Sequence, residues 1–347
     1  MKPAESFREP FSVANSDESI LRFPFPFRDD QFGYAMGMEL HGRKGATAAF
    51  DAVFDVDEHY LGEVAERELV LQGDVSRCQV PDFMGEAAWE SLALVMEALA
   101  KDFPAQFALE RDGDAWRWRN WLLGVDQKFV FGEDGTLPCG ALEYITRQAQ
   151  GDFALLQERD GAILLQGGMV TAAAGWSFAG NLGKSFHHIH APVPLVRQTG
   201  LVDRAQSFMA RLTPARPARR LGWGITAGPR LDISAENEAV WSLDKSRVTA
   251  DDVGQSLWLR VELQSFFRLP RSQAILFGIR TYMLRLDEVA RVRRWAARLH
   301  RVLRTVHPEV VAYKGLQHVL PLMLDFLAPL DDGGLLGPGA GPEQTSL

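Results

Sequence analysis

Cysteine is nearly absent: the 347 residues contain two, Cys78 and Cys139, in neither a CxxC nor a zinc-ribbon spacing. That suits a reducing compartment in which both are free thiols, and it points to a cytoplasmic protein. An iron–sulfur cluster is normally held by four cysteines, so an electron-transfer centre of that kind belongs on another chain. Long apolar runs are missing too. The most apolar late stretch, Val319 to Leu330, is interrupted by Asp325 and is far shorter than the roughly 20 residues of a membrane span. No membrane segment is expected. The first twenty residues carry Glu5, Glu9, Asp17 and Glu18 without an apolar run, which argues against a secretory signal. Basic residues are in deficit, 37 Lys and Arg against 45 Asp and Glu, for a net charge of −8. Phosphate binding needs a clustered basic surface, so nucleic acid is not an expected partner.

What is present is a globular composition, 46% hydrophobic and 24% charged, which is enough to bury a core. Residues 1–20 read as a flexible N-terminal arm and 331–347, with its Gly-Gly and Gly-Pro pairs, as a flexible C-terminal tail. The stretch 21–330 reads as one domain, because no low-complexity linker divides it. Two copies of Glu-Arg-Asp-Gly, at 110–113 and 158–161, are hairpin turns, since Asp-Gly supplies the positive φ angles of a type I′ turn. Trp89, Leu92, Val95 and Leu99 predict a helix over 86–101 that stops before Pro104. Val289, Val292, Trp295, Leu299 and Val302 predict another over 287–306, with Asp287 as N-cap. Leu257, Leu259, Val261 and Leu263 alternate with Trp258, Arg260, Glu262 and Gln264, which is strand periodicity. A second β-rich run, 274–282, follows closely enough to form an antiparallel hairpin. The fold class is therefore α+β, an antiparallel sheet covered by helices on one face.

The most unusual local feature is His187-His188-Ile189-His190, followed by Ala191-Pro192-Val193-Pro194. The prolines predict an extended backbone, in which His188 and His190 point the same way. A non-haem iron or zinc site through that pair and a single axial haem imidazole are both open, as are surface histidines. On β-strand alternation Arg260, Glu262 and Gln264 share one face, which is either solvated or a buried polar site. Arg280 follows the apolar run 274–279 and interrupts it, so by itself it reads as reaching solvent at the strand end. Two motifs are decoys. Gly222-Trp223-Gly224-Ile225-Thr226-Ala227 fits the dinucleotide fingerprint GxGxxA, but no apolar strand precedes it and Gly228-Pro229 blocks the helix that must follow. Trp223 instead packs in the core or against a flat ligand. Trp116-Arg117-Trp118-Arg119-Asn120-Trp121 interleaves aromatic and basic residues as single-strand nucleic-acid binders do, but its six residues in an acidic chain read as a hairpin strand.

Gly175-Trp176-Ser177, Leu182-Gly183-Lys184 and Ile189-His190-Ala191-Pro192-Val193-Pro194, in that order and spacing, resemble the signature of the haem-dependent oxidative N-demethylase haem-binding alpha subunits. Gln150-Gly151-Asp152-Phe153 resembles a family segment that usually carries Glu-Asp; here Gln-Gly stands before the Asp. Trp223-Gly224-Ile225, Leu259 to Gln264, Arg268 to Ser272, Phe277 to Tyr282 and Tyr313-Lys314-Gly315-Leu316 extend the resemblance over roughly residues 21 to 327. It implies a PAS-like sheet with covering helices and helical extensions. It also implies haem b, with iron on His190, oxidising a small secondary amine such as dimethylamine with dioxygen, in the manner of a monooxygenase. NADPH electrons would arrive through FMN and 2Fe–2S centres on partner subunits. Tetrahydrofolate to capture the formaldehyde is left open. On this reading Arg260 and Glu262 are the catalytic pair, and His190, Trp223 and Arg280 bind the cofactor, Arg280 through a propionate. The alternatives are a PAS-type haem gas sensor, which shows no attached signalling segment here, and the non-haem metal site.

Overall fold

The structure is a computed structural model that describes residues 13–33, 35–42 and 51–336. Its architecture is α+β, with two antiparallel sheets. The larger has the strand order β1 (Glu39–Leu40), β8 (Ala218–Ala227), β9 (Leu257–Arg268), β10 (Ile275–Arg285), β6 (Asp152–Arg159), β7 (Ala162–Met169) and β2 (Cys78–Gln79). The smaller joins β3 (Phe107–Asp112), β4 (Ala115–Asn120) and β5 (Val125–Val130). Trp116 to Asn120 accordingly lie in hairpin strand β4, with Trp121 just past its end, and Gly222 to Ala227 lies wholly inside β8, the next helical turn starting only at Ala235.

The expected β9–β10 hairpin runs from Arg268↔Ile275 to Trp258↔Arg285. Because side chains alternate across a strand, Leu259, Val261 and Leu263 face one side of the sheet together with Ile225, Tyr282 and Leu284. That apolar face is covered by helices Leu286–Arg291, Arg293–Arg304 and Val319–Leu327 at one end. Helices Tyr60–Gly73, Gly85–Asp102 and Ala141–Thr146 cover it at the other, against Phe153, Leu155, Phe267 and Leu276. Each large side chain so buried contributes about 1.5–3 kcal/mol. The opposite, mixed face carries Arg260, Glu262 and Gln264 and, further along, Ala154, Phe266 and Phe277, on which Phe178, Phe186, Ile189 and Met209 pack. Helices thus cover both faces rather than one, because at Phe266-Phe267 and Leu276-Phe277 both sides of the strands are apolar.

Other differences are local. The helix predicted over 287–306 is two helices broken at Val292 (φ −97°, ψ 88°), and it starts at Leu286, where Glu288 accepts the Arg285 backbone N–H at 2.9 Å. The break leaves both Val292 and Trp295 in the core, Trp295 stacked on Phe25. The 158–161 turn has positive φ at both Asp160 and Gly161, as type I′ requires. In the other copy Asp112 is still paired with Ala115, and only Gly113 has positive φ, so the turn sits one residue later. Of the arm read at 1–20, residues 1–12 lie outside the described residues. Beyond them Asn15 bonds Met283 O and Glu288, Ser16 caps helix Asp17–Arg22, and Ile20 is fully buried. Of 331–347, residues 337–347 lie outside, and Asp331 is held by Arg301 and His300.

Candidate functional site

Ser185 accepts the His188 backbone N–H through its hydroxyl and so starts a short helix, Phe186–His190, where an extended segment was expected. Pro192 and Pro194 follow that helix and end it, instead of holding the histidines extended. Residues two apart on a helix point to nearly opposite sides, so His188 and His190 do not converge. His188 is exposed, and His187 is exposed and paired with Asp203 (2.7 Å) and Gln206 (3.1 Å). His190 is partly buried. Its Nδ1 lies 2.8 Å from Phe186 O, and since a carbonyl only accepts, Nδ1 carries the proton and Nε2 presents a lone pair. Burial holds the His190 pKa below the usual imidazole value, the Phe186 carbonyl opposes this, and Arg220 adds to it. Phe186 also packs its ring against the imidazole, with centroids 4.1 Å apart.

Arg220, whose charge is felt at His190, stands opposite Gln264 on the mixed face and so places this helix beside that face. Glu262 is next along β9, flanked by Gly222 of β8 and Thr281 of β10. Its two oxygens accept from Arg260 Nε at 3.3 Å and Gln264 Nε2 at 3.0 Å. The face is a buried polar site and not a solvated one, since Arg260 is 2% exposed. Arg260 spends its remaining donors on Leu231 O (2.7 Å), Ala172 O (2.6 Å) and Thr281 Oγ1 (3.2 Å). The 171–172 loop is itself pinned by Asp152, which accepts Thr171 N, Thr171 Oγ1 and Ala172 N between 2.7 and 2.9 Å. Gly151 before it has φ +117°, and a Cβ there would sit 2.8 Å from Ile279 O. That explains Gln150-Gly151-Asp152 as an architectural support for Arg260. Beside Glu262 the sheet carries no side chain on β8: a Cβ on Gly224 would meet nothing within 4 Å, and the nearest atoms to one on Gly222 are the Gln264 amide at 3.4 Å and Glu262 at 3.9 Å.

Two residues expected at the cofactor lie on the face of the sheet away from Glu262. Arg280 pairs with Leu263, so alternation puts it on the apolar face, away from Glu262. There its guanidinium binds Glu63 (2.8 and 2.9 Å) and Asp57 (2.6 Å) and lies over the Tyr282 ring. Its guanidinium is engaged by these protein carboxylates. A small cavity there is lined by Arg22, Asp55, Asp57, His59, Glu63 and Tyr282 among others. Burial pushes the Glu63 carboxyl up to about 7 against the pull of Arg280. Trp223 also faces the apolar side, edge-on to Phe27 and Phe32, with the Lys314 ammonium 4.5 Å from its ring centroid. It is a core residue, not a platform for a ligand at Glu262. Among the described residues no three of His, Cys, Asp and Glu stand together as a metal ligand set, so the non-haem alternative gains no third ligand. No helix among them is long and apolar enough to cross a membrane.

Sequence reasoning assigned no role to Lys314, Gly222 or Gly224. Lys314 lies within Tyr313-Lys314-Gly315-Leu316, but only the fold shows that it reaches β8. A family of proteins described as haem-dependent oxidative N-demethylase, alpha subunit-like, matches residues 45–324, a stretch that contains every element of the site above.

Proposed function

Because the chain belongs to the haem-dependent oxidative N-demethylase, alpha subunit-like family, we propose that it binds haem b through His190 and removes a methyl group from a small secondary amine of the dimethylamine kind. The observation that carries this reading is the His190 hydrogen bond: Nδ1–H is committed to Phe186 O, which fixes the tautomer and leaves Nε2 as a basic ligand. The residues around it fit the group. Phe186 and Ile189 continue the apolar surface of Phe266 and Phe277, and the bare strand at Gly222 and Gly224 gives a flat ring room that side chains would fill. When bound, haem supplies the activation of dioxygen, with electrons from outside the chain. In the balanced reaction the amine, dioxygen, two electrons and two protons yield the demethylated amine, formaldehyde and water.

The chain's own part is to bind and orient. An alkylammonium ion taken from water needs a compensating charge, and Glu262 is the carboxylate on the mixed face that supplies it. Arg260 holds Glu262 from one side and Gln264 from the other, so the carboxylate has one orientation. Arg260 is thereby a positioning residue more than a free cation, being bonded also to two loop carbonyls. Electrons come from partner subunits bearing FMN, a 2Fe–2S centre and NADPH, in keeping with a chain that has two cysteines. The test is reconstitution of the purified chain with haem, followed by titration with dimethylamine. A stoichiometric Soret band that shifts on titration supports the reading; no Soret band removes it.

A further inference from the structure

Among the described residues the outer edge of β8 has no partner strand beyond Arg219, because β1 pairs with Ala218 and Arg219 alone. The Trp223 carbonyl on that edge accepts a hydrogen bond from Lys314 Nζ at 2.7 Å, while the same ammonium lies over the Trp223 indole. Lys245 stands behind, donating Nζ to Lys314 O at 2.7 Å. Each ammonium carries three donor protons, and each has one acceptor here. Among the described residues neither has a carboxylate within ion-pair reach. The charged neighbours of Lys314 are Glu262 and Arg220, the two residues that face the proposed ligand space from β9 and β8. Burial lowers both lysines to about 8; Glu262 offsets this at Lys314 and Arg220 adds to it, while Lys314 adds to it at Lys245. Two half-buried lysines, the ammonium of one on the backbone carbonyl of the other, with donors to spare and no anion bonded to them among the described residues, form a site that an anion completes.

We propose that Lys314, backed by Lys245, anchors a carboxylate of the ligand that lies against Glu262, namely a propionate of the haem. This rests on the haem reading above and gives the propionate the partner that Arg280, turned to the other face, does not provide. Lys314 sits where β8 is open to the outside, so a ring lying across Gly222 and Gly224 directs its polar edge to the ammonium and its apolar edge to Phe266 and Phe277. The second lysine holds the first in place through the helix-end carbonyl, and its own charge strengthens the attraction.

The test compares haem with haem dimethyl ester, which keeps the ring and loses both negative charges. The apo-protein should bind the diester roughly tenfold more weakly than haem, about 1.4 kcal/mol. Lys314→Met, which keeps the aliphatic stem over Trp223, should weaken haem by a similar factor and leave the diester unchanged. Lys314→Arg, which restores the charge, should recover the preference for haem. Equal affinity of the wild type for haem and diester overturns the proposal, as does a Lys314→Met variant that loses both ligands alike, which would make Lys314 a packing residue. The two readings separate cleanly: a wild-type chain with no Soret band overturns the His190 assignment and this one together, whereas normal haem uptake with indifference to the ester overturns this one alone.

Discussion

Glu262 of β9 and Arg280 of β10 lie one rung apart in the same ladder and on opposite faces of the sheet, Glu262 beside Thr281 and Arg280 beside Leu263. The sheet therefore separates two ionic groups. One surrounds Glu262 on the mixed face; the other, Arg280 with Asp57 and Glu63, holds helix Tyr60–Gly73 and its approach to the apolar face. Arg280→Met should leave two buried carboxylates unpaired and cost about 3–5 kcal/mol of stability, read by denaturant unfolding. The folded fraction should still take up haem at wild-type affinity. A stable Arg280→Met protein with impaired haem binding would restore Arg280 to the cofactor.

Glu262→Gln keeps the shape and the contact with Arg260 while removing the charge. Protein yield and the Soret band of the reconstituted chain should stay near wild type. The spectral shift on titration with dimethylamine should weaken roughly tenfold or more, about 1.4 kcal/mol. An unchanged titration means that the amine's partner lies elsewhere, and loss of haem means that Glu262 supports the pocket instead.

The lysine pair sets a pH dependence with a definite sign. Lys245 and Lys314 titrate at about 8 in the fold against 10.5 in the unfolded chain. Below 8 both states hold the protons and the fold bears the full burial penalty. Between 8 and 10.5 the unfolded chain binds more protons, so stability rises with pH. Thermal unfolding of the apo-protein followed from pH 7.5 to 10 should therefore show wild type gaining relative to a Lys245→Met/Lys314→Met variant. Parallel curves would show that the two amines are solvated.

With Gly222 to Ala227 inside β8, the glycine pair has no helix N-terminus beside it on which to seat a pyrophosphate. Haem-loaded chain alone should not oxidise NADPH coupled to demethylation. Robust unaided turnover would place an electron entry site on this chain and remove the need for partners.

The β9–β10 hairpin and the shared face of Arg260, Glu262 and Gln264 were legible, because period-two alternation survives in the sequence whatever packs on it. The face of Arg280 was not, since it depends on register, and register is set by a turn that closes through Leu269 and Ala274. Its partners are over 200 positions away at Asp57 and Glu63, beyond any local pattern. The histidine segment misled in another way: two prolines imply extended chain, yet they act after His190, and Ser185 had already started a helix. Lys314 left only a faint signal, a lysine before Gly315, whose φ of +60° ends helix Pro308–Tyr313 and turns the chain past the edge of β8.

Haem uptake by histidine variants tests the central claim most directly. Purified wild type, His187→Ala, His188→Ala and His190→Ala are each titrated with haem and read by Soret absorbance, with circular dichroism to confirm folding. On the proposed reading the Nδ1–H bond to Phe186 O leaves His190 Nε2 to hold the haem iron, so wild type, His187→Ala and His188→Ala should bind haem stoichiometrically and folded His190→Ala should not. Full, tightly held haem in the His190→Ala protein would contradict the account.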